Sequence, residues 1–163
     1  MDYGSFPNDE TAKEVKAATF STLPLGSKTS NDYFRQLIAA GMCQSEMPFY
    51  ARMSHNNKPD NRMTGTEALK KGECAFAYIA GLDAKGNPAR PIVVFPLEPG
   101  KRTFDKKLCD KYYDGKAVIL RLDNSVTSVP VDTSGRGWMN GKDLFDPSQP
   151  FWGGKAPDVK WPE

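Results

Sequence analysis

This 163-residue chain contains one histidine, and most acid–base or nucleophilic chemistry would have to use it. Any Ser-His-Asp or Cys-His mechanism must use His55, because it is the only histidine. It lies in a polar loop, and no nucleophile stands at a recognisable spacing from it. We therefore interpret His55 as an ordinary loop residue and predict that the chain has no catalytic site and is not an enzyme.

Three cysteines are the other candidates for nucleophilic, redox or metal chemistry. Cys43, Cys74 and Cys109 are far apart and form no Cys-x-x-Cys or Cys/His pattern, which argues against zinc. In an oxidising compartment two of them could pair, and in a reducing one all three would be buried thiols, so disulfide formation stays open. Lys106 and Lys111 lie near Cys109 and would lower its pKa. Cys109 is therefore the predicted reactive thiol.

A calcium site in the C-terminal region is a further alternative. Asp132, Ser134, Asp143 and Asp146 carry oxygen ligands of the kind that calcium prefers. Their spacing fits no EF-hand, and aspartates in turns usually accept hydrogen bonds from their own backbone. We predict no metal site and no cofactor, and leave calcium near these aspartates as the open alternative.

Aromatic residues in the C-terminal third suggest either a ligand platform or a small local core. The set is Trp138, Trp152 and Trp161, with Tyr112 and Tyr113 before them. Such rings can bind a glycan or a peptide, but irregular spacing favours packing beneath a long loop. No glycine-rich phosphate-binding pattern follows a predicted strand.

Composition indicates one globular domain over residues 1–163. Hydrophobic residues make up 39% of the chain and charged residues 26%, close to globular averages. The 22 basic and 20 acidic residues give a net charge of +2 without long basic runs, so we predict no nucleic-acid partner. No apolar stretch approaches the ~20 residues that cross a bilayer.

Helices are predicted mainly in the N-terminal part. One helix is predicted over residues 8–18, with Asn8 or Asp9 as its N-terminal cap. A second is predicted over residues 30–40, which carry a stripe of apolar side chains and are followed by Gly41 as the C-terminal cap. Residues 64–67 (Thr-Gly-Thr-Glu) fit a capping box for a helical turn through residue 71.

Strands are predicted at residues 74–80 and 91–96, separated by a turn near residues 83–88, and in a hairpin over residues 116–131. We expect a two-residue turn at Asp123-Asn124, with Val118, Leu120 and Leu122 facing the core. Pro130 places the second hairpin strand at a sheet edge. The predicted fold class is α+β: short N-terminal helices packed on a small antiparallel sheet, followed by a long ordered C-terminal loop region, residues 132–163.

Four segments together resemble a known family. Residues 3–7 (Tyr-Gly-Ser-Phe-Pro) precede the first helix, and three later segments are residues 31–38, 72–78 and 115–126. In this order they resemble the globular domain of type IV pilin-like proteins, specifically the pseudopilins of type II secretion systems. Asn124 stands where this branch often has glycine, and asparagine also tolerates the left-handed region.

The resemblance implies a non-enzymatic structural subunit. It implies a long hydrophobic helix upstream of Tyr3 that anchors the protein in the inner membrane, with the globular part in the periplasm or cell envelope. The partners would be other pilin-like subunits and secretion-system components. Major pseudopilins bind calcium in a C-terminal loop, which keeps that alternative open here. The competing hypothesis is a cell-envelope binding module that recognises glycan or peptide through the C-terminal aromatic residues.

Overall fold

A computed structural model of the chain describes residues 5–52, 54–81 and 85–163. The described residues form three α-helices, a five-stranded antiparallel sheet and a two-stranded sheet, which is the predicted α+β class. They group into two compact units. The first comprises residues 5–75, Gly81 and residues 162–163; the second comprises residues 76–80 and 85–161. The predicted junction at Tyr3 and the start of the predicted turn at residue 83 lie outside the described residues.

Helix α1, Asp9–Thr19, begins at a reciprocal cap in the first unit. The side-chain oxygen of Asn8 accepts hydrogen bonds from the N–H groups of Glu10 and Thr11, at 2.8 and 2.9 Å. The Thr11 hydroxyl in turn accepts from the N–H of Asn8 at 2.8 Å. These bonds satisfy backbone donors that the first helical turn leaves unpaired. The predicted helix and its capping residue are confirmed.

Helix α2, Ser30–Ala39, is also confirmed. Thr29 accepts a hydrogen bond from the N–H of Asp32, and the Asp32 carboxylate accepts from the N–H of Thr29. Tyr33, Phe34 and Ile38 are buried as the apolar stripe predicts. The helix is therefore fixed to the first unit along this stripe.

The predicted capping box at residues 64–67 is wrong. Residues Gly65–Glu67 form a single 3₁₀ turn, and the Thr64 side chain makes no capping hydrogen bond. The chain cannot continue as a helix to residue 71 because Leu69 has a φ of +44°, in the left-handed region. Leu69 is nonetheless fully buried, so its backbone must be held by other groups.

The five-stranded sheet lies in the second unit, and all its pairs are antiparallel. Its strands, in chain order, are β1 (Ala77–Ala80), β2 (Pro91–Phe95), β3 (Lys116–Arg121), β4 (Val126–Pro130) and β7 (Asp158–Lys160). Their order across the sheet is β4-β3-β2-β1-β7, so β4 is an edge strand as Pro130 predicts. The short strands β5 (Trp138–Met139) and β6 (Lys142–Asp143) form the second sheet. Sequence periodicity did not predict β5, β6 or β7.

The β3–β4 hairpin is confirmed, but its turn and its core face are not as predicted. Arg121 donates its N–H to the carbonyl of Ser125, and only Asn124 has a positive φ (+69°), which makes a three-residue loop. Ala117 and Ile119 are completely buried, whereas Val118, Leu120 and Leu122 are half-buried. Residues 117–120 are all apolar, so alternation alone does not identify the better-covered face.

Helix α3, Lys106–Tyr112, precedes β3 and was not predicted. Asp105 caps it by accepting a hydrogen bond from the N–H of Leu108 at 3.1 Å. After the helix, the ring of Tyr113 meets Phe95 of β2 edge-on, with centroids 5.3 Å apart. Within the helix, Leu108 and Cys109 are the buried residues.

The long C-terminal region contributes to the core of the second unit. Phe104 stacks on Phe145 with ring centroids 5.9 Å apart. A Cβ atom at Gly137 would lie 2.7 Å from a ring carbon of Phe104, so this position needs glycine. Gln149 is buried and donates to the carbonyls of Met139 and Asp143 in the β5–β6 hairpin. Residues 132–161 therefore pack into the second unit and include strands β5, β6 and β7.

Candidate functional site

Three carboxylates from distant parts of the sequence converge in the first unit. Glu46, Asp60 and Glu73 each place one oxygen within 4.8 Å of the others. Within the described ranges, they are the group of three acidic, histidine or cysteine side chains that comes close enough to hold a metal ion. Sequence reasoning missed this cluster, because its members are separated by 13 or 14 positions in irregular segments.

Glu46 and Glu73 close a loop formed by residues 60–70. Glu46 accepts from the N–H of Asn61 at 2.8 Å and from that of Leu69 at 2.6 Å. Glu73 accepts from the N–H of Asp60 at 3.3 Å and from that of Lys70 at 3.0 Å. Each buried carboxylate therefore bridges both ends of the loop. We call this arrangement the carboxylate brace.

Side chains of helix α2 donate hydrogen bonds to backbone carbonyl groups of the same loop. Asn31 Nδ2 donates to the Leu69 carbonyl at 2.9 Å, and Arg35 Nη2 donates to the same oxygen at 3.0 Å. Arg35 Nε also donates to the carbonyl of Ala68 at 3.0 Å. With its N–H bound by Glu46, Leu69 has both backbone groups paired. These bonds stabilise its left-handed conformation, which costs about 1–2 kcal/mol in an isolated chain.

The electrostatics of the brace are set by burial and by nearby charges. Burial raises the pKa of Glu46, opposed by the N–H of Leu69, and the Glu73 and Asp60 carboxylates raise it further. The Lys70 ammonium lies 2.5 Å from Asp60 and lowers the pKa of that carboxyl. Backbone N–H groups and Lys70 thus already occupy the carboxylate oxygens. The arrangement is suited to holding a loop in place, and any added cation would compete with Lys70.

His55 and the three cysteines belong to no metal-capable group of three in the described part of the chain. His55 is exposed in its loop. Cys43, Cys74 and Cys109 are all free thiols, and Cys74 lies 3.7 Å from the Ser30 hydroxyl. The prediction that Cys109 is the reactive thiol is wrong. Its side chain is completely buried, and burial raises its pKa to about 11 despite a small opposite effect of Lys106.

The C-terminal aspartates are not brought together. Asp132 accepts from the N–H groups of Ser134 and Arg136 and from the indole of Trp138, at 2.8, 3.0 and 2.8 Å. Asp143 and Asp146 likewise accept N–H groups two residues further on. None of them belongs to a metal-capable group of three in the described part of the chain. The geometry gives these aspartates the local role of turn capping.

The C-terminal aromatic residues do not assemble into one exposed platform. Trp152 is 3% exposed and donates its indole N–H to the Leu144 carbonyl at 2.7 Å, and Phe151 packs against it edge-on. Trp161 donates to the carbonyl of Lys101 at 2.7 Å. Trp138 is 37% exposed, but its indole N–H is bound by Asp132.

Two arginines flank the β2–β3 pairing, Arg90 just before β2 and Arg121 at the end of β3. Arg90 and Arg121 are half-buried, and the Nε atom of each is buried with no hydrogen-bond partner among the described residues. The Arg90 guanidinium lies over the ring of Trp152, 5.7 Å from its centroid, and burial lowers the pKa of Arg90. Sequence reasoning did not select these residues, because isolated arginines carry no recognisable motif.

No protein-family model, curated protein or solved structure matches this chain. Among the described residues, no helix has both the length and the apolar character needed to cross a membrane. The function must therefore be argued from the residues and the geometry above.

Proposed function

We propose that the chain is the globular domain of a pilin-like structural subunit of a type II secretion or type IV pilus-like system. The observation that carries the proposal is the order of elements. Two capped helices, α1 and α2, precede an antiparallel sheet whose edge hairpin, β3–β4, contains the segment that resembles the family. The subunit would form lateral contacts and perform no bond chemistry.

The hydrogen-bond partners and the burial of the polar side chains support a structural role. Glu46 and Glu73 hold a loop, Asp132 caps a turn, and the Cys109 thiol is buried with a raised pKa. A catalytic site needs a nucleophile and a base within reach of each other and of a substrate. These groups instead bind the chain's own backbone.

The partners and location follow from this proposal. The domain would contact other pilin-like subunits and secretion-system components on the periplasmic side of the cell envelope. A hydrophobic helix encoded upstream of residue 1 would connect it to the inner membrane. The alternative, a glycan- or peptide-binding module, needs accessible aromatic rings, and the burial of Phe151 and Trp152 removes two of them.

The first test is the coding sequence upstream of residue 1. The proposal expects about twenty apolar residues directly before Tyr3, behind a short basic leader. A cleavable signal peptide there would support the binding module instead. An ordinary start codon with no apolar segment before Tyr3 would contradict both.

The second test is photo-crosslinking of the complete encoded protein in its native cells. A crosslinking amino acid at Val126, which is 66% exposed on edge strand β4, should give a ladder of multimers in the membrane fraction. The same group at buried Ile119 is the control and should give no ladder. Only uncrosslinked monomer in the soluble fraction would contradict the proposal.

A further inference from the structure

Edge strand β4 directs some of its backbone groups away from the sheet. At the start of the β3–β4 ladder, the N–H of Arg121 donates to the carbonyl of Ser125 at 2.9 Å, and the register then continues without a break along β4. Along an antiparallel strand, residues that bond to the neighbouring strand alternate with residues that do not. Val126 and Ser128 therefore point their N–H and C=O groups outward. Among the described residues, no strand pairs with this outer side.

The carboxyl end of the same edge is already closed. The N–H of Val131, directly after β4, donates to the Gly115 carbonyl on the β3 side at 3.0 Å. Val131 also forms an antiparallel bridge with Gly137, which therefore lies on the outer side. Pro130 has no N–H to donate. The part of the edge that another strand can reach is thus residues 126–129.

This stretch lacks the charges that usually keep edge strands apart. Natural edge strands often carry charged side chains that prevent a further strand from pairing, but residues 124–131 contain none. Val93, Leu120 and Val126 stand opposite one another across β2, β3 and β4, and form an apolar row. Val93 and Leu120 are half-buried, and Val126 at the edge is 66% exposed. A row of partly exposed apolar side chains is typical of a surface that contacts another protein.

We propose that the β4 strands of two copies of this chain pair with each other, antiparallel, about a two-fold axis at Thr127. In this register Val126 of each copy faces Ser128 of the other. Each of these pairs exchanges both of its N–H···O bonds, as directly opposed residues of an antiparallel ladder do. An axis at Ser128 would instead place Val126 opposite Pro130, which has no N–H to donate.

A second copy fits this edge because the edge is complementary to itself. A two-fold axis places the same surface on both sides of the contact, so a charge on the axis would face the same charge. Residues 124–131 are uncharged, which removes that repulsion. Threonine opposite threonine is a favourable cross-strand pair, and on the other face the two Val126 side chains are diagonal neighbours.

The proposed contact goes beyond the proposed function and does not depend on it. A two-fold contact closes on itself and gives dimers, so longer assemblies need a further surface. A chain that stays monomeric would therefore overturn this inference and leave the proposed function to its own tests.

The first test is a dilution series of the chain from about 1 mM to about 10 μM, measured by sedimentation equilibrium and amide NMR. The contact is small, so we expect dimers at the highest concentration and monomers at the lowest. The amide signals of Val126 and Ser128 should shift in step with the dimer fraction, and that of Val129, which faces β3, should shift less. Monomer throughout would overturn the proposal. So would a dimer in which the Val126 and Ser128 signals stay unchanged, because its contact lies on another surface.

The second test uses a disulfide to measure the register. Thr127→Cys is combined with Cys43→Ser, because Cys43 is half-buried whereas Cys74 and Cys109 are buried. Opposed residues of a non-hydrogen-bonded antiparallel pair have Cα atoms about 4.5 Å apart, which a disulfide can span, so mild oxidation should give a covalent dimer. Ser128→Cys in the same background is the control, since its two copies would be diagonal neighbours about 7–8 Å apart and should oxidise much more slowly. Equal rates at the two positions would contradict this register.

A proline variant removes one outward N–H from the edge. In Ser128→Pro the bonds to β3 are kept, because the N–H of residue 128 points away from that strand. We expect dimerisation to weaken by at least about tenfold. Ser128→Ala keeps the N–H and should dimerise like the unmodified chain. A folded Ser128→Pro variant with unchanged dimerisation would contradict the proposal.

A charge variant provides a second test that does not alter the backbone. Val126→Lys places two like charges on diagonal positions and should weaken dimerisation severalfold. Tyr112→Lys adds the same charge at another exposed apolar residue of the same unit and is the matched control. Amide spectra check that both variants are folded. Equal dimerisation of the two variants would argue against a contact at β4.

Discussion

Glu46 is the residue at which burial and charge oppose each other most directly. Its side chain has no exposed surface, yet both oxygens accept backbone N–H groups, as an ionised carboxylate does. Burial outweighs those bonds and raises its pKa above the ordinary value of 4.5. The folded protein therefore prefers the protonated form more strongly than the unfolded chain does.

A pH-dependent stability difference follows for Glu46→Gln. The stabilising contribution of a raised carboxyl pKa is complete below the unfolded value and is lost as pH rises through the folded value. We expect the unfolding free energy of the unmodified chain to fall relative to that of the variant as pH rises above the ordinary carboxyl value of 4.5 and through the raised folded pKa. Urea unfolding at several pH values measures this difference. Glu14→Gln, on the exposed surface of α1, controls for the loss of one charge. A Glu46→Gln difference that is constant or reversed with pH would contradict the expectation.

The cysteines give a prediction about reactivity. Cys43 is half-buried, whereas Cys74 and Cys109 are buried and the pKa of Cys109 is raised to about 11. At about pH 8 we expect a disulfide reagent to modify Cys43 fastest and the other two only after unfolding, because the thiolate is the reactive form. Absorbance of the released thiol measures the rates. Cys43→Ser should remove the fast phase; its removal by Cys109→Ser instead would contradict the structure.

At the scale of elements, the end of helix α1 carries an unfavourable residue. Phe20 has a φ of +54° in the left-handed region, and its side chain is 87% exposed. Its N–H still closes the helix by donating to the carbonyl of Lys16 at 3.0 Å. The backbone conformation is therefore useful, while the phenylalanine side chain contributes little packing.

Replacing Phe20 with glycine tests this view of the helix end. Glycine adopts positive φ without the clash that costs other residues about 1–2 kcal/mol, so we expect Phe20→Gly to be more stable than Phe20→Ala by about 1 kcal/mol. Both variants remove the same exposed ring, which makes alanine the matched control. Equal midpoints of thermal unfolding, or a more stable alanine variant, would contradict the expectation.

Sequence reasoning predicted the elements whose signals are local. Helices α1 and α2 were predicted because capping residues and apolar spacing lie within a single element, and the β3–β4 hairpin because both strands flank one turn. Helix α3 was missed because its seven residues include only two buried ones, Leu108 and Cys109. Strand β7 was missed because three residues carry no period, and its pairing with β1 depends on segments far apart in the sequence.

The candidate sites were largely missed for the same physical reason. In the carboxylate brace, Glu46 and Glu73 bind backbone N–H groups, which have no residue-specific signature. Sequence analysis selected the cysteines and aspartates instead, because their residue types suggest reactive or metal-binding chemistry whatever their position in the fold.

At the scale of the molecule, Glu163 completes the first compact unit, although most of that unit lies in the N-terminal half of the sequence. The N–H of Glu163 donates to Asn31 at 3.1 Å, its carbonyl accepts from the N–H of Gly72 at 2.8 Å, and its carboxylate accepts from Arg35 at 2.7 Å. Arg35 also pairs with Asp32 at 2.9 Å. A residue 128 positions away thus contributes to the hydrogen bonding of helix α2.

Glu163→Ala should measurably destabilise the protein. The variant removes a charge-assisted bond to Arg35, which is buried, and we expect a loss of about 1–2 kcal/mol in unfolding free energy. Glu163→Gln keeps a neutral acceptor and should lose less. Glu10→Ala, which breaks an exposed pair with Lys13, is the control and should change stability by less than about 0.5 kcal/mol. Equal effects of Glu163→Ala and Glu10→Ala would contradict a structural role for Glu163.

The position of Glu163 also constrains how the protein is made. While the chain is still on the ribosome, helices α1 and α2 can emerge long before their last partner has been synthesised. Translation proceeds at roughly 5–20 residues per second, so Arg35 and Asn31 wait for seconds with partners missing. The first unit reaches its final hydrogen bonding only after residue 163 has cleared the exit tunnel, which leaves this unit open to chaperones until then.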